Sequence, residues 1–125
     1  MAFAKRAFLI AGIYGLVVLL PQYLLEAKNG RDFPPAITHP EYYYGFIGIA
    51  VAWQIAFLVL AKNPIRYRPM MIPAIIEKAT FAIAVGVLFA HNRVSLPMLG
   101  AGCVDLILGT FFVLAYIWTR PFSAD

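Results

Sequence analysis

Apolar residues fall in four long runs along the chain, separated by short polar segments. The runs cover 7–25 (AFLIAGIYGLVVLLPQYLL), 42–61 (YYYGFIGIAVAWQIAFLVLA), 70–90 (MMIPAIIEKATFAIAVGVLFA) and 96–118 (LPMLGAGCVDLILGTFFVLAYIW). A helix needs about 20 mostly apolar residues to cross a hydrocarbon layer of about 30 Å. Strands rarely exceed about ten residues, and a helix satisfies its backbone polar groups internally, as lipid requires. The pattern predicts an all-α chain: one integral-membrane domain over 1–125, folded as an antiparallel four-helix transmembrane bundle.

The first run follows Lys5 and Arg6, as a secretory leader would. It is longer than the roughly 7–15 apolar residues of a leader, and no small-x-small cleavage site precedes Glu26, Lys28 and Asn29. It therefore reads as a true span. An even number of spans places both termini on one side.

Composition agrees. Of the 125 residues, 62% are hydrophobic and 13% charged, and mean hydropathy is +0.79. Soluble domains run at about 45–50% apolar and about 25% charged, and a chain this short could not bury so much apolar surface in a core of its own. A soluble enzyme, a disordered tail and a disulfide scaffold are excluded; the single cysteine, Cys103, makes no internal bridge and no CxxC motif. The net charge of +4 does not point to nucleic acid, because the basic residues lie between the apolar runs. Lys5, Arg6, Lys62, Arg66, Arg68 and Arg120 fall on one side, and Lys28, Arg31 and Arg93 on the other. Positive charge favours the cytoplasm, so both termini and the turn 62–69 are expected there, in an inner (plasma) membrane.

The connections differ. KNPIRYRP (62–69) is a short basic turn bracketed by prolines, suited to anionic headgroups. HNRVSLP (91–97) is another short turn, with Pro97 opening the fourth span. EAKNGRDFPPAITHPE (26–41) is longer than links between bundle helices usually are. It reads either as a linker or as a lid whose Phe33 and Ile37 fold back onto the bundle. Tyr23, Tyr42, Tyr43 and Tyr44 at one interface, and Tyr67, Tyr116 and Trp118 at the other, match aromatic belts.

Ionisable residues inside spans are costly and are functional candidates by default. Three occur: Glu77 and Lys78 in the third span and Asp105 in the fourth. At about 1.5 Å of rise per residue they approach the middle of the bilayer. Gln54, Tyr14 and Thr110 reach similar depth, and Thr80 lies one turn from Glu77, so each span contributes a polar group to one central layer. Adjacent residues point about 100° apart on a helix. The expected arrangement is therefore a Lys78–Asp105 pair across two helices, with Glu77 turned toward Gln54 or Tyr14. Small residues suggest close packing faces: Gly12 and Gly15; Gly45, Gly48, Ala52 and Ala56; and Ala101, Asp105 and Gly109, with Gly102 beside them. Pro21 is placed to kink the first helix. Cys103 is expected to be a small buried residue. His39, His91, Glu26 and Glu41 have no metal-ligand spacing, and no catalytic or cofactor fingerprint occurs. No metal, cofactor or catalytic residue is expected.

EYYYGF entering the second span, AWQ within it, NPIRYRP in the turn and PAIIEK entering the third resemble small four-helix bacterial inner-membrane proteins of no established activity. DoxX-like bundles share the layout of short-looped helices. EXPERA-type bundles are similar in the long first loop, in Gln54, and in PAII followed by an acidic residue. These are likenesses of layout, which imply a fold and a membrane and leave function to the site.

Two functional readings fit, and a third, a membrane enzyme acting on a lipid or quinone, has no motif in its support. One is a non-enzymatic accessory subunit or homo-oligomer whose polar layer sets helix order. The other is a bundle that binds a small hydrophobic ligand or couples transport to protons through Glu77, Lys78, Asp105 and Gln54. A cavity reaching Glu77 favours the second reading. A tightly packed polar layer with partner chains favours the first.

Overall fold

A computed structural model describes residues 2–120; the expected placement of the chain ends at residue 1 and at 121–125 lies outside them. The elements in order are α1 (Ala2–Leu19), a 3₁₀ turn (Leu20–Leu24), α2 (Glu26–Asp32), α3 (Pro40–Lys62), a 3₁₀ turn (Arg68–Met70), α4 (Met71–Ala90) and α5 (Leu96–Trp118). With their adjoining turns, the four long helices each contain 23 residues and are apolar enough to cross a bilayer. That is about 34 Å of helix, enough for the hydrocarbon layer. The protein is an all-α, multi-pass integral membrane protein.

Prolines set several of the boundaries. Pro21 has no N–H to continue the α-helical ladder. The regular helix stops at Leu19 and the chain tightens into the 3₁₀ turn that carries Pro21. Pro40 and Pro97 sit in the first turns of α3 and α5, where a missing donor costs nothing. At the end of α5, the Arg68 guanidinium donates from Nε and Nη2 to the Tyr116 carbonyl at 3.0 and 2.7 Å. The same group stacks 3.7 Å from the Tyr116 ring centroid. The basic turn thus satisfies one of the last carbonyls of α5, a group that no following backbone N–H reaches among the described residues.

The helices pack as two pairs. α1 lies along α3, α4 lies along α5, and α1 also meets α5, whereas α3 and α4 scarcely touch. Phe3 stacks edge-on against Phe111 and Trp118, with centroids at 6.0 and 4.9 Å, so the start of α1 and the end of α5 share one face of the membrane.

The core lies at that same end. Phe8, Phe57 and Phe112 are fully buried; Phe8 stacks on Phe112 at 4.2 Å, and Phe57 meets Phe112 edge-on at 5.0 Å. Ala4, Ala11, Leu60, Met71, Ala74 and Ala115 close around them. Lipid is as apolar as these side chains, so dispersion in close contact, more than exclusion from water, holds this plug together.

Some small residues pack as expected and others do not. A Cβ on Gly12 would come within 2.7 Å of Leu58, one on Gly102 within 2.9 Å of Val85, and one on Gly109 within 3.1 Å of the Lys78 Cβ. The α3 stripe is different: Gly45 has nothing near it, Gly48 meets only the Tyr23 hydroxyl, and Ala52 is exposed. That face of α3 looks outward because α3 buries Ile47, Ala50, Gln54 and Phe57 instead. Cys103, expected to be buried, is exposed on α5, because Gly102 and Leu108 occupy the packed side.

Candidate functional site

Beyond the plug the helix pairs separate and leave a half-open chamber of about 830 Å³. Its walls are mainly apolar: Val18 and Leu19 on α1, Phe46 and Trp53 on α3, Phe81 on α4 and Met98 on α5. Phe46 and Phe81 face each other across the gap between α3 and α4, with ring centroids 6.4 Å apart. Gln54, Glu77, Lys78 and Asp105 border the same space. They form its floor, since the Lys78 ammonium sits 5.3 Å from the centroid of Phe57, a member of the plug.

Lys78 is the centre of the floor. Its Nζ lies 3.4 Å from Asp105 Oδ1 on α5 and 3.6 Å from Glu77 Oε2 on its own helix. Gly109 makes this possible by letting α5 approach the Lys78 stem. The Lys78–Asp105 contact joins two residues that depth arithmetic alone had placed at one level. Glu77 differs from expectation: it turns to Lys78, not to Gln54 or Tyr14. The backbone directions of neighbouring residues diverge, but the long lysine stem bends far enough to bring its ammonium beside the adjacent carboxylate.

Gln54 is 2% exposed. Its Nε2 donates to the Ala50 carbonyl one turn back at 2.9 Å, which turns Oε1 away from that carbonyl and leaves it without a protein donor. The carboxamide lies against Gly15, where any Cβ would overlap it. Gly15 is therefore a notch for the Gln54 side chain. Glu77 Oε2 is the other buried oxygen with no hydrogen-bond partner among the described residues.

The remaining sequence candidates divide. Tyr14 and Thr80 border the chamber, although the Thr80 hydroxyl donates to the Ile76 carbonyl of its own helix at 2.8 Å. Thr110 does not join the central layer. It is exposed, its hydroxyl donates to Leu106 O at 2.9 Å, and it borders a smaller cleft of about 150 Å³ beside Gly109. No group of three or more His, Cys, Asp or Glu able to hold a metal ion occurs among the described residues.

At the mouth, Gln22 and Asn29 carry a role absent from the sequence analysis, and Tyr43, expected as part of an aromatic belt, joins them. The segment 26–41 begins with a helix, α2, that was not expected. Asn29 on α2 donates from Nδ2 to Gln22 Oε1 at 2.6 Å and to the Tyr43 hydroxyl oxygen at 2.9 Å. The Tyr43 hydroxyl in turn donates to the Gln22 carbonyl at 2.6 Å. This triad ties α2 to the 3₁₀ turn after α1 and to the start of α3, and Phe33 and Ile37 beyond it border the chamber. The signal was present in the sequence: Lys28 and Asp32 pair one turn apart, and Glu26 and Arg31 sit at the helix ends that favour their charges.

No family model, curated protein or solved structure matches the chain.

Proposed function

We propose that this protein binds a small, largely apolar molecule inside the bilayer and is not a catalyst. One observation carries this reading: the packed half of the bundle ends at a charged floor, and above that floor lies a chamber of about 830 Å³ bordered by Glu77, Lys78 and Asp105. A polar layer serving only to fix helix order would be enclosed by side chains, because buried charge without tight packing adds desolvation cost and little else. Apolar walls with a few convergent polar groups are the usual composition of a small-molecule site. The separation of α3 from α4 supports access from the lipid side, while Asn29, Phe33 and Ile37 border the chamber from the 26–41 segment. In the proposed orientation both termini and the basic turn are cytoplasmic in an inner membrane, and α2 lies on the opposite face.

The test is thermal melting of detergent-purified protein titrated with an organic extract of the host membranes. Ala101 borders the chamber, so Ala101→Phe fills it. Wild-type protein should melt higher as extract is added, and the variant should show no rise. Equal behaviour of the two proteins contradicts the reading.

A further inference from the structure

The floor also constrains the chemistry of the molecule it receives, an inference that rests on the ligand-binding reading. It contains two carboxylates and one ammonium, a formal charge of −1 in the ionised state. The single cation is consumed by its neighbours. The Lys78 side chain is 5% exposed, whereas those of Glu77 and Asp105 are 23% and 17% exposed. Lys78 directs its ammonium at both carboxylates and at the Phe57 face. Of the three, the carboxylate side chains are the less covered ones, Asp105 bordering both the chamber and the smaller cleft beside Gly109.

The other donors on the chamber wall, among them the Tyr14 hydroxyl and the Trp53 indole N–H, are neutral and do not offset the charge. Gln54 gives one of its two N–H groups to Ala50, and its Oε1 receives none among the described residues. At the mouth, Asn29 donates to Gln22 and Tyr43, Tyr43 donates to the Gln22 carbonyl, and Gln22 Nε2 donates to Val18 O at 3.2 Å. Thr80 donates to its own helix. The floor thus holds two carboxylates against one ammonium, together with the unpartnered Gln54 Oε1. A carboxylate or phosphate head would enter against like charge. A protonated amine would bring the missing positive charge together with N–H donors, and charge-assisted hydrogen bonds are the stronger kind. We propose that the chamber takes a cationic amphiphile: an apolar body against Phe46, Trp53 and Phe81, with an ammonium head on Glu77 and Asp105.

The chain supplies its own reporter. Its two tryptophans are Trp53, on the chamber wall, and Trp118, exposed beside Phe3 at the opposite end. In a Trp118→Phe background, Trp53 fluorescence reads the chamber alone. The protein in phosphatidylcholine nanodiscs is titrated at neutral pH with dodecylamine, dodecanol and dodecanoic acid, which share one tail and differ in the head. Dodecylamine should saturate the Trp53 signal at a concentration about tenfold or more below the other two, the worth of one charge-assisted hydrogen bond. Glu77→Gln makes the floor formally neutral and should erase that preference. Adding Asp105→Asn makes it formally positive and should reverse the order in favour of dodecanoic acid. The preference of the protein with both carboxylates intact stands as evidence whether or not either variant folds.

If dodecanol or dodecanoic acid saturates as readily as the amine with both carboxylates intact, the ammonium assignment is overturned and the ligand-binding reading survives. If Glu77→Gln folds and keeps the full preference for the amine, the assignment is likewise overturned. If none of the three probes saturates, the ligand-binding reading falls with it.

Discussion

Lys78 on α4 and Asp105 on α5 meet with Nζ 3.4 Å from Oδ1, and the same ammonium lies 3.6 Å from Glu77. One cation therefore serves two carboxylates, and the three residues are energetically unequal. Lys78→Met leaves both acids without a counter-charge and should cost about 3 kcal/mol or more, in the range for breaking a buried pair. Asp105→Leu leaves Lys78 with Glu77 and should cost clearly less. The double variant should recover part of the Lys78→Met loss. Denaturation in detergent, analysed as a double-mutant cycle, checks this; strictly additive losses contradict it.

Gly15 and Gly100 make a matched pair of opposite sign. A Cβ at Gly15 overlaps the Gln54 carboxamide, while one at Gly100 meets nothing. Gly15→Ala should expel Gln54 from its notch and lower the melting midpoint, at a cost of about 1–3 kcal/mol for overpacking. Gly100→Ala removes backbone freedom from the unfolded chain and should leave stability unchanged or raise it by up to about 1 kcal/mol. Equal effects at the two sites would show that Gln54 does not occupy the notch.

The plug and the wall should separate stability from binding. Phe112 is fully buried against Phe8 and Phe57, and Phe112→Ala should cost about 3–5 kcal/mol. Phe81 lies on the chamber wall, and Phe81→Ala should melt within about 1 kcal/mol of wild type while weakening the Trp53 response to dodecylamine. Comparable destabilisation by both would mean that the chamber is packed like the plug.

Orientation can be read by thiol labelling. Cys103 is the chain's single cysteine, so a Cys103→Ala background is silent. Ala36 and Ile65 are exposed in opposite connections. A membrane-impermeant maleimide on intact cells should label Ala36→Cys, and Ile65→Cys should react after lysis only. The reverse pattern would invert the bundle.

The sequence disclosed the architecture because membrane spans are written in length and hydropathy, and those need no tertiary information. It disclosed the Lys78–Asp105 contact because antiparallel helices of known rise put both residues at one depth. The partner of Glu77 was not legible, since helical direction fixes where a Cβ points and not where a long lysine stem ends. The chamber was hidden for a related reason. Periodicity reports which face of a helix is apolar, but a face lining a cavity and a face packed on a neighbour carry the same residues. The α3 glycine stripe misled in the same way: Gly45 and Gly48 permit close packing without requiring it. The helix α2 was masked by Asn29-Gly30, which reads as a turn, although Asn29 serves as the tie to Gln22 and Tyr43.

The central claim is that the open half of the bundle holds a small molecule. Native mass spectrometry of the protein released from detergent micelles measures this directly. Wild-type protein should carry a discrete small-molecule adduct that Ala101→Phe lacks. A wild-type spectrum without an adduct, or the same adduct on both proteins, would contradict the account.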